Sequence, residues 1–238
     1  MDMNIKSKMF CLDDLLSVGW RIYRANIKTI LLIILLVYVP VVLITVLVPQ
    51  KTIFASVANL LLSCIEILVL ASVAFIVEKA IHGENILWTE VLKLAFAKWG
   101  EILVTGFIAG LLILVLSLLF IIPGIIFWQY YIFVPYVVAL RDKTGGEALK
   151  YSKSLVEGQW WNIFTIVFVL DLMQVPFSLG IVFLLRFIST NPYILVISIP
   201  LVEIIGSFFI VTYVLLFLNN DYLKHARPAE NMVPIESL

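Results

Sequence analysis

Charge is scarce in this sequence: 13% of its 238 residues are Asp, Glu, Lys or Arg, while 63% are hydrophobic. Soluble domains carry about 25% charged residues, so most of this chain's surface is not made for water. The formal net charge of zero excludes nucleic acid as a main partner, because neutralising phosphates takes a basic excess. Cysteine and histidine are nearly missing, at two residues each. Cys11 and Cys64 have no metal or redox spacing and are expected to be reduced packing residues. His82 and His225 lack a carboxylate or cysteine partner at ligand spacing, so neither is expected to bind a metal. Ser152 and Ser154 have no nearby His or Asp base and read as helix-surface or packing serines. With no nucleophile–base pair and no metal set in the pattern, the chain is expected to be neither an enzyme nor a cofactor protein.

Long apolar runs fill the space that charge leaves. Windows of about 20 residues give candidate spans at Ile27 to Val48, Ile53 to Val77, Ile102 to Ile122, Gly124 to Leu140, Asn162 to Leu185 and Tyr193 to Leu218. The fold class is therefore all-α, a polytopic bundle of about six transmembrane helices. The first run follows a charged segment and has no small-residue cleavage pattern, so it is expected to stay in the mature protein. Pro123-Gly124 is expected to make the turn before the fourth and shortest span.

An amphipathic stretch precedes each pair of runs: Leu12 to Tyr23, Trp88 to Trp99 and Glu147 to Trp160. In the second, Trp88, Val91, Leu92, Ala95 and Trp99 share one helical face, with Glu90, Lys93 and Lys98 on the other. In the third, Thr144-Gly145-Gly146 supplies the turn in and Gly158 the helix stop. Such stretches are expected to lie on the membrane surface or against the bundle. The chain thus divides into three repeats, at about 10–77, 86–140 and 146–218, within one membrane domain of residues 1–218. Residues 219–238 read as a mobile cytoplasmic tail.

Every Lys and Arg except Lys51 and Arg186 falls on one side of this arrangement. The positive-inside rule then puts both termini in the cytoplasm. Trp20, Trp88, Trp99, Trp160 and Trp161 lie on the same side, where an indole buries its ring and hydrogen-bonds at the headgroups.

Three motifs carry a resemblance. Leu12-Asp13-Asp14-Leu15-Leu16 running into Trp20-Arg21-Ile22-Tyr23-Arg24-Ala25-Asn26, Ile122-Pro123-Gly124-Ile125, and the segment from Glu147 to Gly158 are similar to the membrane domain associated with bacterial glycerophosphoryl diester phosphodiesterases and to related uncharacterised six-helix membrane proteins. The likeness covers roughly residues 10 to 220. It implies a fold and a place in the bacterial inner or plasma membrane. The catalytic part of those phosphodiesterases is a separate soluble barrel with a histidine pair and metal-binding carboxylates, for which this chain has no stretch long or polar enough. No active-site residue carries over.

Inside the spans stand a few polar groups. Ser56, Asn59, Ser63 and Glu66 form one stripe in the second span, Asp171, Gln174 and Ser178 another in the fifth, and Glu203 with Ser207 a third after Pro200 in the sixth. Gln129 sits at a similar depth. About 15 large apolar residues at roughly −0.45 kcal/mol each outweigh about +3 kcal/mol for one central acid, so the second span still inserts. The acids are expected to face the bundle interior, protonated or hydrogen-bonded.

Two readings of this set stand open. One is a polar intramembrane site of Asn59, Glu66, Gln129, Asp171, Gln174 and Glu203 for a proton, a cation or a lipid headgroup. The other is contact between helices, worth about 0.6 and at most about 2 kcal/mol per hydrogen bond. The function expected is a lipid-contacting accessory or scaffold, its partners membrane lipids and a protein partner or a second copy. The alternative is a small transporter or channel for protons or a small solute. Repeats of one orientation favour the first, since alternating access is commonly built on inverted ones.

Overall fold

The computed structural model describes residues 9–47, 53–188 and 194–230, with the side chains of all of these except 41, 44–47, 53–59, 61, 62, 194–197 and 226–230. Among the described residues there are eight helices and no strand: α1 (Leu12–Leu47), α2 (Ile53–Ile81), α3 (Trp88–Leu119), α4 (Ile121–Tyr130), α5 (Val134–Arg141), α6 (Gly145–Val156), α7 (Trp160–Ile188) and α8 (Ile194–Glu230). Among the described residues, five stretches are long and apolar enough to cross a membrane: Leu12–Pro40, Trp88–Leu119, Ile121–Arg141, Trp160–Ile188 and Ser198–His225.

Beyond their charged first turns these helices are apolar on most faces. On α1 the stripe Ile30, Ile33, Ile34, Val37 and Tyr38 is buried, yet Leu32, Leu35, Leu36 and Val39 on the opposite faces are exposed. On α3 and α7 the exposed residues include Phe107, Leu118, Phe183 and Phe187. Water would make such faces aggregate, whereas lipid solvates them, and the composition is that of a membrane protein.

α8 is the centre of the bundle, packed against α1, α2 and α7. Its segment Val214 to Leu218 is completely buried, with Phe217 between Phe133 and Tyr136 of the α5 end. α1 approaches closely because Gly19 presents no side chain to α8: a Cβ there would stand 2.9 Å from Thr212 Cγ2. Between α3 and α4 the fit is tighter still, since a Cβ on Gly124 would come 2.9 Å from Ser117 Cβ and 3.0 Å from its Cα.

Several expectations need correction. Two of the amphipathic stretches are not separate surface helices: Leu12 to Tyr23 continues into the first apolar run as α1, and Trp88 to Trp99 continues as α3. The third stands alone as α6, stopped before Gly158, which adopts a positive φ of 83°. The turn assigned to Pro123-Gly124 lies earlier, at Phe120, which is extended (φ −154°, ψ 133°). Pro123 falls in the first turn of α4, where its missing N–H would have had no partner in any case. The span Gly124 to Leu140 is broken into α4 and α5 by a turn at 131–133. The mobile tail expected from Asn219 is, at its start, core: α8 runs on to Glu230, and Asn219, Asn220 and Asp221 are buried. Cys11, expected to be packed, is exposed, while Cys64 is half-buried; both are free thiols.

Candidate functional site

Two polar constellations emerge, one anticipated and one not. The anticipated one gathers on α1, α2, α7 and α8. Tyr38 of α1, 2% exposed, lies within electrostatic reach of Glu203 on α8 and Glu66 on α2, and its hydroxyl makes no hydrogen bond of regular geometry. Gln174 of α7 joins them: a Cβ built on Gly206 would lie 3.5 Å from Gln174 Nε2 and 3.9 Å from Glu203 Oε2, so both polar ends reach one spot on α8. One helical turn from Gln174, Asp171 accepts a hydrogen bond of 2.5 Å from the Tyr213 hydroxyl of α8. Nearby, Tyr23 of α1 and Ser207 both donate to the Ile204 carbonyl at 2.7 Å.

Gln174 and Glu203 are therefore neighbours, with Asp171 one turn along α7 and Glu66 within electrostatic reach of Glu203. The structure differs from expectation on the rest. Glu66 is exposed rather than turned into the bundle, and Asp171, Gln174 and Glu203 are half-buried. Gln129 is fully buried but belongs to another interface, because α4 packs on α3, α6 and α7; among the described residues neither its amide nitrogen nor its oxygen has a hydrogen-bond partner. Asn59 falls on α2, and its side chain is outside the described residues. Tyr213, which the sequence pattern did not single out, supplies the hydroxyl that bonds Asp171.

The second constellation lies where α2, α5, α6 and α8 meet. Arg141 closes α5, where a cation complements the partial negative charge of the helix end. Its Nη1 donates to Glu78 Oε1 at 2.5 Å and its Nε to Asp221 Oδ2 at 2.8 Å, with a further bond from Nη1 to the Leu140 carbonyl at 2.7 Å. Asp221 is 1% exposed. Its other oxygen accepts from the Tyr151 hydroxyl of α6, which also lies 2.9 Å from His225 Nε2. Burial pushes the Tyr151 phenol above its ordinary range, and the hydrogen bond and charge of Asp221 push it further. A buried carboxylate is tolerable only when paired and hydrogen-bonded, and Asp221 is both.

Around this clamp stand weaker links. Lys98 bridges Glu101 at 2.9 Å and Asp142 at 2.6 Å, tying α3 to the turn after α5. The backbone N–H of Gly145 donates to Thr105 Oγ1 at 3.1 Å, and Ser152 Oγ to the Tyr130 carbonyl at 2.7 Å. Phe10 N–H donates to Asn219 Oδ1 at 2.9 Å, fastening the residue two before α1 to α8. His225, read as isolated in the sequence, has Asp221 at 3.9 Å, and His82 contacts the Tyr222 hydroxyl at 3.5 Å. Sequence reading missed the clamp because Arg141 counted only as a topology signal and Asp221 as part of a tail. The signal was a carboxylate directly after a long apolar run, beside Asn219 and Asn220.

In comparisons with known proteins, no family model, no curated protein and no solved structure matches the chain.

Proposed function

We propose that this chain is a non-enzymatic integral membrane protein of the bacterial inner or plasma membrane, a lipid-contacting accessory or scaffold that crosses the bilayer six times with both termini in the cytoplasm. The observation that carries this reading is a pair of apolar grooves. One, of about 360 Å³, is lined by Ile122, Ile125, Ile126, Tyr130, Trp160 and Trp161. The other, of about 420 Å³, is lined by Trp20, Tyr23, Met173, Phe177, Ile204, Ile205, Phe208 and Phe209. Grooves of this chemistry suit acyl chains. Each has tryptophan at it, the residue that favours the headgroup boundary.

α2 supplies the sixth crossing: its 29 residues reach about 44 Å at 1.5 Å per residue. The side counted as cytoplasmic carries all cations but two, and the Arg141 clamp is on that side. Native mass spectrometry of the detergent-extracted protein tests the reading: bound phospholipid or a copurified protein, with no solute flux in liposomes, is the expected result.

A second reading has one observation in its favour. Glu66 is open to the exterior while Glu203 and Tyr38 lie inward of it, an arrangement that would admit a proton or small cation. Flux that disappears in Glu66→Gln and Glu203→Gln, with normal expression, would replace the scaffold by a transporter.

A further inference from the structure

Beside the clamp is a concavity of about 320 Å³ lined by Lys143, Glu147, Lys150, Tyr151 and Ser154. Two ammonium groups stand over the Tyr151 ring, Lys143 Nζ at 5.2 Å and Lys224 Nζ at 4.6 Å from its centroid. Lys224 also donates to Ser154 Oγ. An ammonium has three donors, so Lys224 keeps others for a ligand. The ring attracts each cation through its quadrupole but cancels neither charge. Among the described residues no ion pair engages Lys143, Lys150 or Lys224.

Charge at the mouth is unbalanced among the described residues: the lining sets Lys143 and Lys150 against one carboxylate, Glu147, and Lys224, which also feels the buried Asp221, stands over the same ring. Behind the ring, Arg141 is already shared between Glu78 and Asp221, and the Tyr151 hydroxyl is held by Asp221 with His225 beside it. The concavity runs along α6 from Glu147 in its first turn to Ser154 in its last. Like charges gathered over one ring call for a multivalent anion with several acceptor oxygens. Phosphate bearing one ester link has up to two negative charges and three such oxygens.

We propose that this pocket binds a phosphate monoester, held by Lys143, Lys150 and Lys224 over Tyr151 and presented by a lipid headgroup of the cytoplasmic leaflet. The assignment of the leaflet rests on the membrane reading above; the pocket does not. Binding there would neutralise the lysines and tie α6 to α8 across Ser154 and Tyr151.

The test uses the full chain in detergent, offered an equimolar mixture of phosphatidic acid and phosphatidylcholine with identical acyl chains, read by native mass spectrometry. Phosphatidic acid is expected to be retained about tenfold over phosphatidylcholine. In the Lys143→Gln, Lys224→Gln double variant the two lipids are expected to bind alike, while Lys93→Gln, an exposed cation elsewhere, leaves the preference intact. Lys150→Gln, on the exposed rim, serves if the double variant does not fold, with a several-fold loss expected. Inorganic phosphate, titrated calorimetrically, separates the sources: heat that vanishes in the lysine variants would keep the anion site but assign it to a soluble ligand. Equal retention of both lipids by the parent protein with no phosphate heat overturns the proposal. If lipid is still retained without preference, the pocket alone falls and the scaffold reading survives.

Discussion

Removing the Arg141 guanidinium is the sharpest perturbation of this architecture. In Arg141→Gln the carboxylate of Asp221, 1% exposed, would lose the cation 2.8 Å away, and Glu78 would lose one at 2.5 Å. Breaking a buried pair by deleting one partner costs about 3–5 kcal/mol, because a buried charge is left uncompensated. The Tyr151 hydroxyl still donates to Asp221, and Glu78 is better hydrated, so the lower end of that range, about 3 kcal/mol, is expected. Asp221→Asn removes the charge but keeps a side chain that can hydrogen-bond, and should cost less, about 1–2 kcal/mol. The double variant should then be less destabilised than the two losses added, with a coupling of about 1–3 kcal/mol. The assay is reversible unfolding in mixed micelles followed by circular dichroism. Were Arg141→Gln to unfold within about 0.5 kcal/mol of the parent, or the two substitutions to add without coupling, the pair would not be holding α5 to α8.

Four further outcomes follow from the geometry. Gly124→Ala drives a methyl to 3.0 Å from the Ser117 Cα and should cost about 1–3 kcal/mol, as overpacking does; Ser117→Gly in the same chain should restore part of it in the same unfolding assay. Tyr213→Phe deletes the bond to Asp171 and should lower stability by about 0.6–2 kcal/mol, whereas Glu66→Leu, at an exposed position on an apolar helix, should leave it unchanged or raise it; a clear loss for Glu66→Leu would show that Glu66 holds helices together. Cysteine placed by Arg186→Cys should react with an impermeant maleimide on intact cells and Lys150→Cys only after permeabilisation; the reverse pattern would invert the topology. Tyr151 favours its protonated form in the folded protein, so that contribution is complete below the ordinary tyrosine range near pH 10 and is lost as pH rises through the elevated value. The ultraviolet difference between the parent and Tyr151→Phe should accordingly show no phenolate at pH values where exposed tyrosines already ionise.

The apolar runs were legible because lipid demands them: a helix with Leu35, Leu36 and Val39 outside and Ile33, Ile34 and Val37 inside has little other solvent available. What the pattern could not fix was where one helix ends and the next begins. No Pro or Gly stands between Tyr23 and Ile27, so the amphipathic start of α1 flows into its apolar continuation; a lone Gly100 after Trp99 is likewise absorbed by α3. The third stretch separates because Gly158 takes a left-handed backbone that few other residues adopt. Pro123 misled for the opposite reason. A proline in the first turn of a helix marks a beginning, and the chain had already turned at Phe120.

Periodicity also explains which part of the polar chemistry could be read. Asp171 and Gln174 share a face because they are three residues apart, and that holds in α7 whatever packs on it. Which helix meets that face is a tertiary fact, so Tyr213 was invisible as a partner. The clamp is the extreme case: Arg141 lies 63 residues from Glu78 and 80 from Asp221, and nothing local links them. Their depth in the chain's pattern was nonetheless available, since each stands at the end of an apolar run expected to finish on the same side of the membrane. A charge at such a boundary has water within reach only if nothing covers it, and Phe10, Arg141 and Tyr151 cover Asn219 and Asp221. Once that end is closed, the carboxylate must be paired, and the pairing fixes α2, α5 and α6 against α8. The intramembrane acids are under no such closure. Asp171 has a neutral hydroxyl for a partner, as a contact between helices requires, while Glu66 faces outward. The polar groups thus divide by what surrounds them: those at the Arg141 end are sealed and paired, and Glu66 is exposed.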